Sequence, residues 1–348
     1  MAGDRLRIGV LGASGYTGAD LVRLLLRHPN AELTVLTADR HAGRPIDDVF
    51  PHLAGFGLPS LVKVEDADWS AVDVAFCALP HGTTQTIVAA LPGRLKVVDL
   101  SADFRLRDPA VYAQWYGHEH HAPELQPAAV YGLPEWYREQ VRTARLVANP
   151  GCYPTAALIA LLPLVADGLI DAGELILDAK SGVSGAGRGL KENLLFCETG
   201  EGTHAYGVGS HRHMPELEQE LGAAAGRAVT VSFTPHLLPM NRGELITAYV
   251  RLTGGAGADD LRTALARRYA EEPFVRVVPP GVSPATRHVR GSNLCLLGVF
   301  PDRLPGRAIV ISAIDNLVKG SSGEAIHNMN LMYGLPETAG LEQVALFP

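Results

Sequence analysis

The sequence predicts an α/β protein of two domains, a parallel sheet wound with helices followed by an α+β domain whose sheet is mixed and largely antiparallel. Three observations carry that expectation. The chain has 348 residues, 47% hydrophobic and 19% charged, more than one core of ordinary size encloses. Its first part repeats short, β-branched apolar runs, each followed by turn or helix-opening residues, which is the rhythm of a parallel sheet. Farther on, apolar runs outnumber helical segments and turn-rich stretches separate them, which suits antiparallel pairing.

In chain order, 5–11 reads as a strand, and 16–27 places Leu21, Leu24 and Leu25 on one helical face before Pro29 and Asn30 end it. Further strands are expected at 33–38, 73–79, 96–100 and 145–148. The last runs into Asn149-Pro150-Gly151, after which 155–165 is mostly apolar and reads as a buried helix. The boundary is placed there, giving a Rossmann-type first domain (1–151) and a second domain (152–319) with strands at 174–179, 229–234, 245–252, 293–300 and 308–313. A last helix is expected over 322–332, and the segment 320–348 is expected to pack back on the first domain.

Lys and Arg total 30 against 37 Asp and Glu, a formal net charge of -7, and no long basic run offers a strip for a phosphodiester backbone. No nucleic-acid partner is expected. No stretch of about 18 uncharged apolar residues occurs, so no membrane association is expected. Met1, Asp4, Arg5 and Arg7 lead directly into a strand, which leaves no room for a signal peptide and implies a cytoplasmic protein. Cys77, Cys152, Cys197 and Cys295 form no C-x-x-C pair and are too sparse for a disulfide framework, so reduced thiols follow.

The first chemical motif is Gly12-Ala13-Ser14-Gly15-Tyr16-Thr17-Gly18, between the first strand and the first helix. Glycines let backbone amides approach a pyrophosphate, and the helix N-terminus adds partial positive charge. The spacing departs from the G-x-G-x-x-G of many dinucleotide binders, and a tight turn without ligand is the plainer alternative. At the end of the second strand, Thr37-Ala38-Asp39-Arg40 offers an acid for a ribose 2′-hydroxyl and an arginine for a 2′-phosphate. The arginine and Thr37 favour NADP.

The second motif, 147–156, delivers Cys152 by a Pro-Gly turn to the start of the buried helix. There a thiolate gains from the helix dipole and free amides, which also furnish an oxyanion site. The other cysteines lack such a setting, Cys77 and Cys295 lying in apolar strands and Cys197 beside Glu198. In the third motif, 209–216, His211, Arg212, His213 and Glu216 open a helix. One histidine can exchange a proton with the reacting centre while the glutamate orients it or engages substrate. A zinc site from His211, His213 and Glu216 is the rival, but no further ligand stands at a recognisable spacing, and no metal is expected. After the fourth strand, Ser101 and Arg105 offer a hydroxyl and a guanidinium suited to an oxyanion. The loop 180–188 is rich in glycine and serine, and its amides, at Ser181, Gly182, Ser184 and Gly185, could pack against a planar cofactor ring.

With these residues in view, the chain resembles the N-acetyl-gamma-glutamyl-phosphate reductase family of the aspartate-semialdehyde dehydrogenase superfamily. The resemblance runs through the glycine turn, 77–82, 99–105, 131–135, the Cys152 motif continuing to Ala160, Leu161 and Pro163, the loop 180–188, 209–216, and 315–320. It implies Cys152 as nucleophile, the His211 and His213 pair as acid/base, and cofactor contacts from the glycine turn, the Ser181 loop and Asn316. It also implies NADPH-dependent reduction of a small acyl phosphate through a thioester, in arginine biosynthesis, by a homodimer or homotetramer joined through the second domain. His213 is the first choice for proton transfer, His211 the second or a substrate contact, and Arg105 meets either the departing phosphate or a substrate carboxylate, with Arg212 nearby. Two alternatives stand beside this one: reduction of a carrier-linked acyl phosphate in lysine biosynthesis, and a Cys-His acyl hydrolase or transferase, which would need no dinucleotide bed.

Overall fold

The computed structural model describes residues 5–348. Met1 and Asp4, on which the reading of the N-terminus leans, lie outside the described residues. Two compact units form, Met1–Pro150 with Ser321–Glu342, and Gly151–Gly320 with Gln343–Pro348.

The first unit contains β1 (Leu6–Leu11), α1 (Tyr16–Leu25), β2 (Ala31–Thr37), β3 (Leu61–Val62), β4 (Val74–Cys77), α2 (Thr84–Ala90) and β5 (Lys96–Asp99). It continues with α3 (Pro109–Tyr116), β6 (Ala129–Tyr131), α4 (Pro134–Thr143) and β7 (Leu146–Ala148). The sheet order is β3-β2-β1-β4-β5-β7-β6, and every pairing is parallel. All of β4 and the last four residues of β1 are buried. Strands covered on both faces read as continuous apolar runs, which made the central strands legible; β3 and β6, two and three residues long, carry no such signal.

The glycine turn is shaped by two close approaches. Gly12 adopts φ +78°, and a Cβ there would lie 2.4 Å from the Ala78 carbonyl oxygen. A Cβ on Gly18 would lie 2.3 Å from the Gly12 oxygen, so α1 can start this close to the turn only with glycine at that position. Both obstructions are backbone. Gly18→Ala is therefore expected to destabilise the first unit by about 1–3 kcal/mol, the usual range for overpacking. A urea midpoint equal to that of the parent would refute this account of Gly18.

The second unit contains α5 (Cys152–Ala166), β8 (Leu175–Gly182), α6 (Phe196–Thr199), β9 (His204–Ala205), α7 (Met214–Ala225) and β10 (Val231–Leu238). Then come β11 (Glu244–Arg251), α8 (Ala258–Arg268), β12 (Val275–Val277), β13 (Cys295–Pro301) and β14 (Arg307–Ile314). The sheet runs β12-β13-β14-β11-β8-β10-β9. It is mixed: β8 with β10 and β12 with β13 are parallel, and the other pairs are antiparallel. β10 and β11 bury alternate residues, as a sheet with one covered face requires.

α5 packs against β11 and β14 and is flanked by α7 and α8, which explains why it is apolar all round. Pro163 has no N–H for the Ile159 carbonyl, and the buried Tyr269 hydroxyl donates to that oxygen instead, at 2.5 Å. The helix begins three residues before the expected Thr155. Gly151 caps it, and Pro154 falls in the first turn where its missing N–H costs nothing. Cys152 is thereby the first helical residue.

The final helix, α9 (Gly323–Met332), belongs to the first unit and is buried at every residue. Its buried amides tie it to the rest of the unit: Asn328 Nδ2 donates to the Gly132 carbonyl at 2.8 Å and to Asn149 Oδ1 at 3.1 Å, and Asn330 Oδ1 lies 2.9 Å from His28 Nε2. The expected return of 320–348 to the first domain needs one correction. Residues 343–348 go with the second unit, where the Leu346 amide donates to the Arg290 carbonyl at 2.8 Å. Among the described residues no helix is long and apolar enough to cross a membrane.

Candidate active site

Cys152 is half-buried at the first position of α5, whose opening turn carries no acidic side chain. Free amides and the helix dipole therefore act on its sulfur without a competing carboxylate in that turn. Gly320 packs directly on it, since a Cβ there would lie 2.7 Å from the Cys152 Cβ. This close approach gives the glycine that ends 315–320 a physical purpose. The Gly151 amide, just before the nucleophile, donates to Glu216 Oε1 at 2.9 Å. Glu216, fully buried on α7, thus fixes the nucleophile turn, a contact that the sequence reading did not include.

Around Cys152 lies an aromatic cluster. The Tyr153 ring meets His211 at 5.8 Å, His213 at 5.9 Å and Phe233 at 5.3 Å between centroids, and the two histidine rings are 4.8 Å apart. The Tyr206 hydroxyl donates to the Tyr153 hydroxyl at 3.1 Å. The histidine pair expected from 209–216 is thus assembled beside the nucleophile's helix. The His213 amide donates to His211 Nδ1 at 3.2 Å, so the neutral His211 ring carries its proton on Nε2. Burial, then the charge of Arg212, lowers the His211 pKa to about 4. Arg212 itself is exposed.

The sequence reading missed Glu244. It opens β11 and is fully buried, and burial raises its pKa to about 8, with the nearby Cys152 thiol acting the other way. A glutamate just before an apolar strand reads as a solvated strand end, and only its place between β8 and β14 buries it.

The 180–188 loop differs from expectation. β8 continues to Gly182, and the supposedly exposed amides are occupied: Gly182 donates to the Gly243 carbonyl, Val183 to Met240 and Ser184 to Asn241. Ser181 is buried with its hydroxyl on the Gly182 carbonyl, and a Cβ on Gly182 would lie 2.8 Å from two carbonyl oxygens of the 240–241 turn. Asn316 joins the two turns, its Oδ1 accepting from the Gly243 amide at 2.8 Å and its Nδ2 donating to Ser184 Oγ at 3.0 Å. These groups build the loop; the amides of 182–184 are not open to a cofactor ring.

In the first unit, Ser14, Gly15 and Thr17 are half-buried and Tyr16 is exposed at the start of α1, which has no acidic residue in its first turn. An open helix N-terminus, closed in by two obligatory glycines, fits a pyrophosphate. Thr37 is a correction: it is fully buried, and its hydroxyl accepts from the Gly12 amide at 3.3 Å, so it supports the turn and does not face a ribose. Asp39 and Arg40 are both exposed just beyond β2. Ser101 is a second correction. It donates to Asp99 Oδ2 at 2.8 Å and accepts from the Asp103 amide at 3.1 Å, which leaves its hydroxyl no proton for an oxyanion. Burial, followed by the charge of Asp103, raises the Asp99 pKa to about 7. Arg105 is nine-tenths buried, anchored by Nε on the Asn149 carbonyl at 2.8 Å and by a terminal nitrogen on the Leu100 carbonyl at 3.0 Å.

The one group of three potential metal ligands among the described residues is Glu135, Glu324 and His327, not the His211 trio. His327 Nε2 is committed to Glu337 at 2.7 Å, and Glu337 also pairs with Arg138.

Residues 7–144 match the semialdehyde dehydrogenase NAD binding domain, and residues 152–316 match the semialdehyde dehydrogenase dimerisation domain. An N-acetyl-gamma-glutamyl-phosphate reductase of Rhodospirillum rubrum is 62% identical over 350 residues, covering 99% of each chain. One from Afipia carboxidovorans is 59% identical, also over 99% of each. A probable chloroplastic N-acetyl-gamma-glutamyl-phosphate reductase of Oryza sativa subsp. japonica is 58% identical over all of this chain and 84% of its own length. Among solved structures, aspartate semialdehyde dehydrogenase II from Vibrio cholerae superposes with a TM-score of 0.72 at 17% identity, over 95% of this chain and 99% of that one.

Proposed function

The chain belongs to the N-acetyl-gamma-glutamyl-phosphate reductase family, and from that membership we propose that it reduces N-acetyl-gamma-glutamyl phosphate to N-acetylglutamate 5-semialdehyde, with release of phosphate, through a thioester on Cys152. The observation that carries this reading is a half-buried thiol at the first position of a buried helix, beside a histidine pair.

NADPH, when bound, supplies the hydride. Gly12, Gly15, Gly18 and the first amides of α1 would hold its pyrophosphate, and Arg40 its 2′-phosphate. The Cys152 thiolate attacks the acyl carbon; the carbon–sulfur bond forms as the carbon–oxygen bond to phosphate breaks. A thioester accepts hydride far more readily than a carboxylate, and the resulting thiohemiacetal returns the thiolate as it collapses to the aldehyde. Amides at the start of α5 stabilise the oxyanion of each tetrahedral stage. His213 supplies the proton that the departing phosphate needs. Arg105 receives an anionic end of the substrate, its pinned guanidinium spending little entropy on doing so. Full-length identity to reductases of the free acyl phosphate favours that substrate over a carrier-linked one. The enzyme assembles as a homodimer or homotetramer through the second unit.

The test is direct. With free N-acetyl-gamma-glutamyl phosphate, nicotinamide absorbance is expected to fall in step with phosphate release. Phosphate release without NADPH oxidation would identify a hydrolase instead.

Arg40→Ala is expected to narrow the preference for NADPH over NADH by about tenfold or more, a charged contact to phosphate being worth roughly 1.5–3 kcal/mol. Kd values for both dinucleotides decide it. Equal weakening of both would make Arg40 structural, and a parent preference for NADH would assign selection to Asp39.

A further inference from the structure

We propose that Asp315 is a positioning residue for the nucleophile: the turn it holds together seats Gly320 against Cys152 and so fixes the direction in which the sulfur meets an acyl carbon. The proposal rests on the assignment of Cys152 as nucleophile and goes beyond it, because the helix terminus sets the charge of that sulfur and not its aim.

Asp315 follows the last residue of β14 and has no solvent exposure. Its side chain gathers donors from three stretches of chain. Oδ1 accepts from the Leu317 amide at 2.8 Å and the Val318 amide at 3.1 Å, and Oδ2 accepts from the Gly291 amide at 2.6 Å. The Arg242 guanidinium stands 3.5 Å from Oδ1. A carboxylate this deep is tolerated only where donors replace its water, and bonds to an ionised acceptor are the strong ones. The chain then turns back on itself. The Gly320 amide donates to the Asp315 carbonyl at 2.9 Å, and Val318–Ser322 winds as a π-helix, a rare form that concentrates at functional sites. Asn316, the next residue, ties the same turn to the Gly243 amide and Ser184 Oγ.

The far end of the turn meets the nucleophile. A Cβ at Gly320 would lie 2.7 Å from the Cys152 Cβ, 3.2 Å from the Cys152 Cα and 3.2 Å from Ile314 Cδ1, so residue 320 is wedged between the start of α5 and the end of β14. Ionisation and aim of the thiol then have different sources. The amides and dipole of α5 favour the thiolate, and they travel with Cys152. The direction of the Cα–Cβ–Sγ arm is limited by Gly320, which bears on both carbons. A misplacement of about 1 Å between reacting groups can cost on the order of 10²-fold in rate. Asp315 acts through Gly320 and takes no part in making or breaking bonds.

The test separates aim from ionisation by comparing two reactions of Cys152. One is acylation by N-acetyl-gamma-glutamyl phosphate without NADPH, read as phosphate released and acyl mass gained in a single turnover. The other is alkylation by iodoacetamide from pH 5 to 10, read by peptide mapping in a Cys197→Ser background because Cys197 is the exposed thiol. Asp315→Ala is expected to slow acylation by about 10- to 100-fold. Its alkylation profile should superpose on the parent's, since a small reagent approaches an ionised sulfur from any open side. Asp315→Asn keeps an acceptor for the Leu317 and Val318 amides and should recover most of the acylation rate. Gly320→Ala leaves Asp315 in place, pushes on Cys152 from the same side, and should slow acylation likewise even where Asp315→Ala fails to fold. If these variants lower the Tm yet acylate at the parental rate, Asp315 is only structural and the proposal fails. It fails also if alkylation slows as much as acylation, because the turn then governs access or charge. A parent that releases no phosphate and gains no acyl mass is a different result, which overturns the nucleophile assignment and this proposal with it.

Discussion

Cys152→Ser is expected to lose NADPH oxidation with N-acetyl-gamma-glutamyl phosphate by on the order of 10⁴-fold or more, while folding and binding dinucleotide as the parent does. The fold should survive because the close packing of Gly320 at this position is on atoms the substitution keeps. Gly320 packs on the Cβ and Cα of Cys152, and the turn before it is fixed by the Gly151 amide on Glu216. The chemistry should not survive. A serine hydroxyl yields almost no alkoxide near pH 7, and an ester is a poorer hydride acceptor than a thioester. Intact-mass spectra recorded with acyl phosphate and no NADPH should show the acyl adduct on the parent and none on the variant. Turnover near the parental rate would remove covalent catalysis from this position.

How much of this was legible in the sequence depends on what each residue touches. The wound parallel sheet and the mixed sheet were readable because central strands and amphipathic helices announce themselves by periodicity. Edge strands β3 and β6 did not, being held by pairing and not by pattern. The Cys152 motif and the histidine pair were legible because proline, glycine and histidine in short order leave few plain uses. Thr37 and Ser101 were misread for a shared reason. Each is a hydroxyl beside a loop suited to ligands, and each spends its hydrogen bonds inside the protein, on Gly12 and on Asp99 and Asp103. Sequence gives the donor but not its partner. Glu216 adds a contact that no local window contains, reaching back across 65 residues of chain to the Gly151 amide. Glu244 was invisible because its burial comes from sheet order, which no local window contains.

His213→Asn is expected to slow turnover by about 10² to 10⁴, the usual reach of a positioned acid or base, and His211→Asn by about tenfold or less. His211 is a poor candidate for the transfer, for two reasons of structure. Its Nδ1 already accepts the His213 amide, and burial, with Arg212 adding to it, lowers its pKa to about 4. Above that value the folded protein holds the ring neutral, with its proton on Nε2, so at pH 7 almost no imidazolium is present to protonate a leaving group. His213, at the start of α7 and 5.9 Å ring to ring from Tyr153, remains as donor. The acyl phosphate needs that donor, because phosphate leaving without a proton would depart as a trianion. A p-nitrophenyl acyl ester does not, since nitrophenolate leaves unaided. Acylation of Cys152 by the ester should therefore proceed in His213→Asn at close to the parental rate, while acylation by acyl phosphate is slow. If the ester reaction is slowed as much as the phosphate reaction, His213 shapes the site and does not donate. If His211→Asn shows the large loss instead, the roles within the pair are reversed.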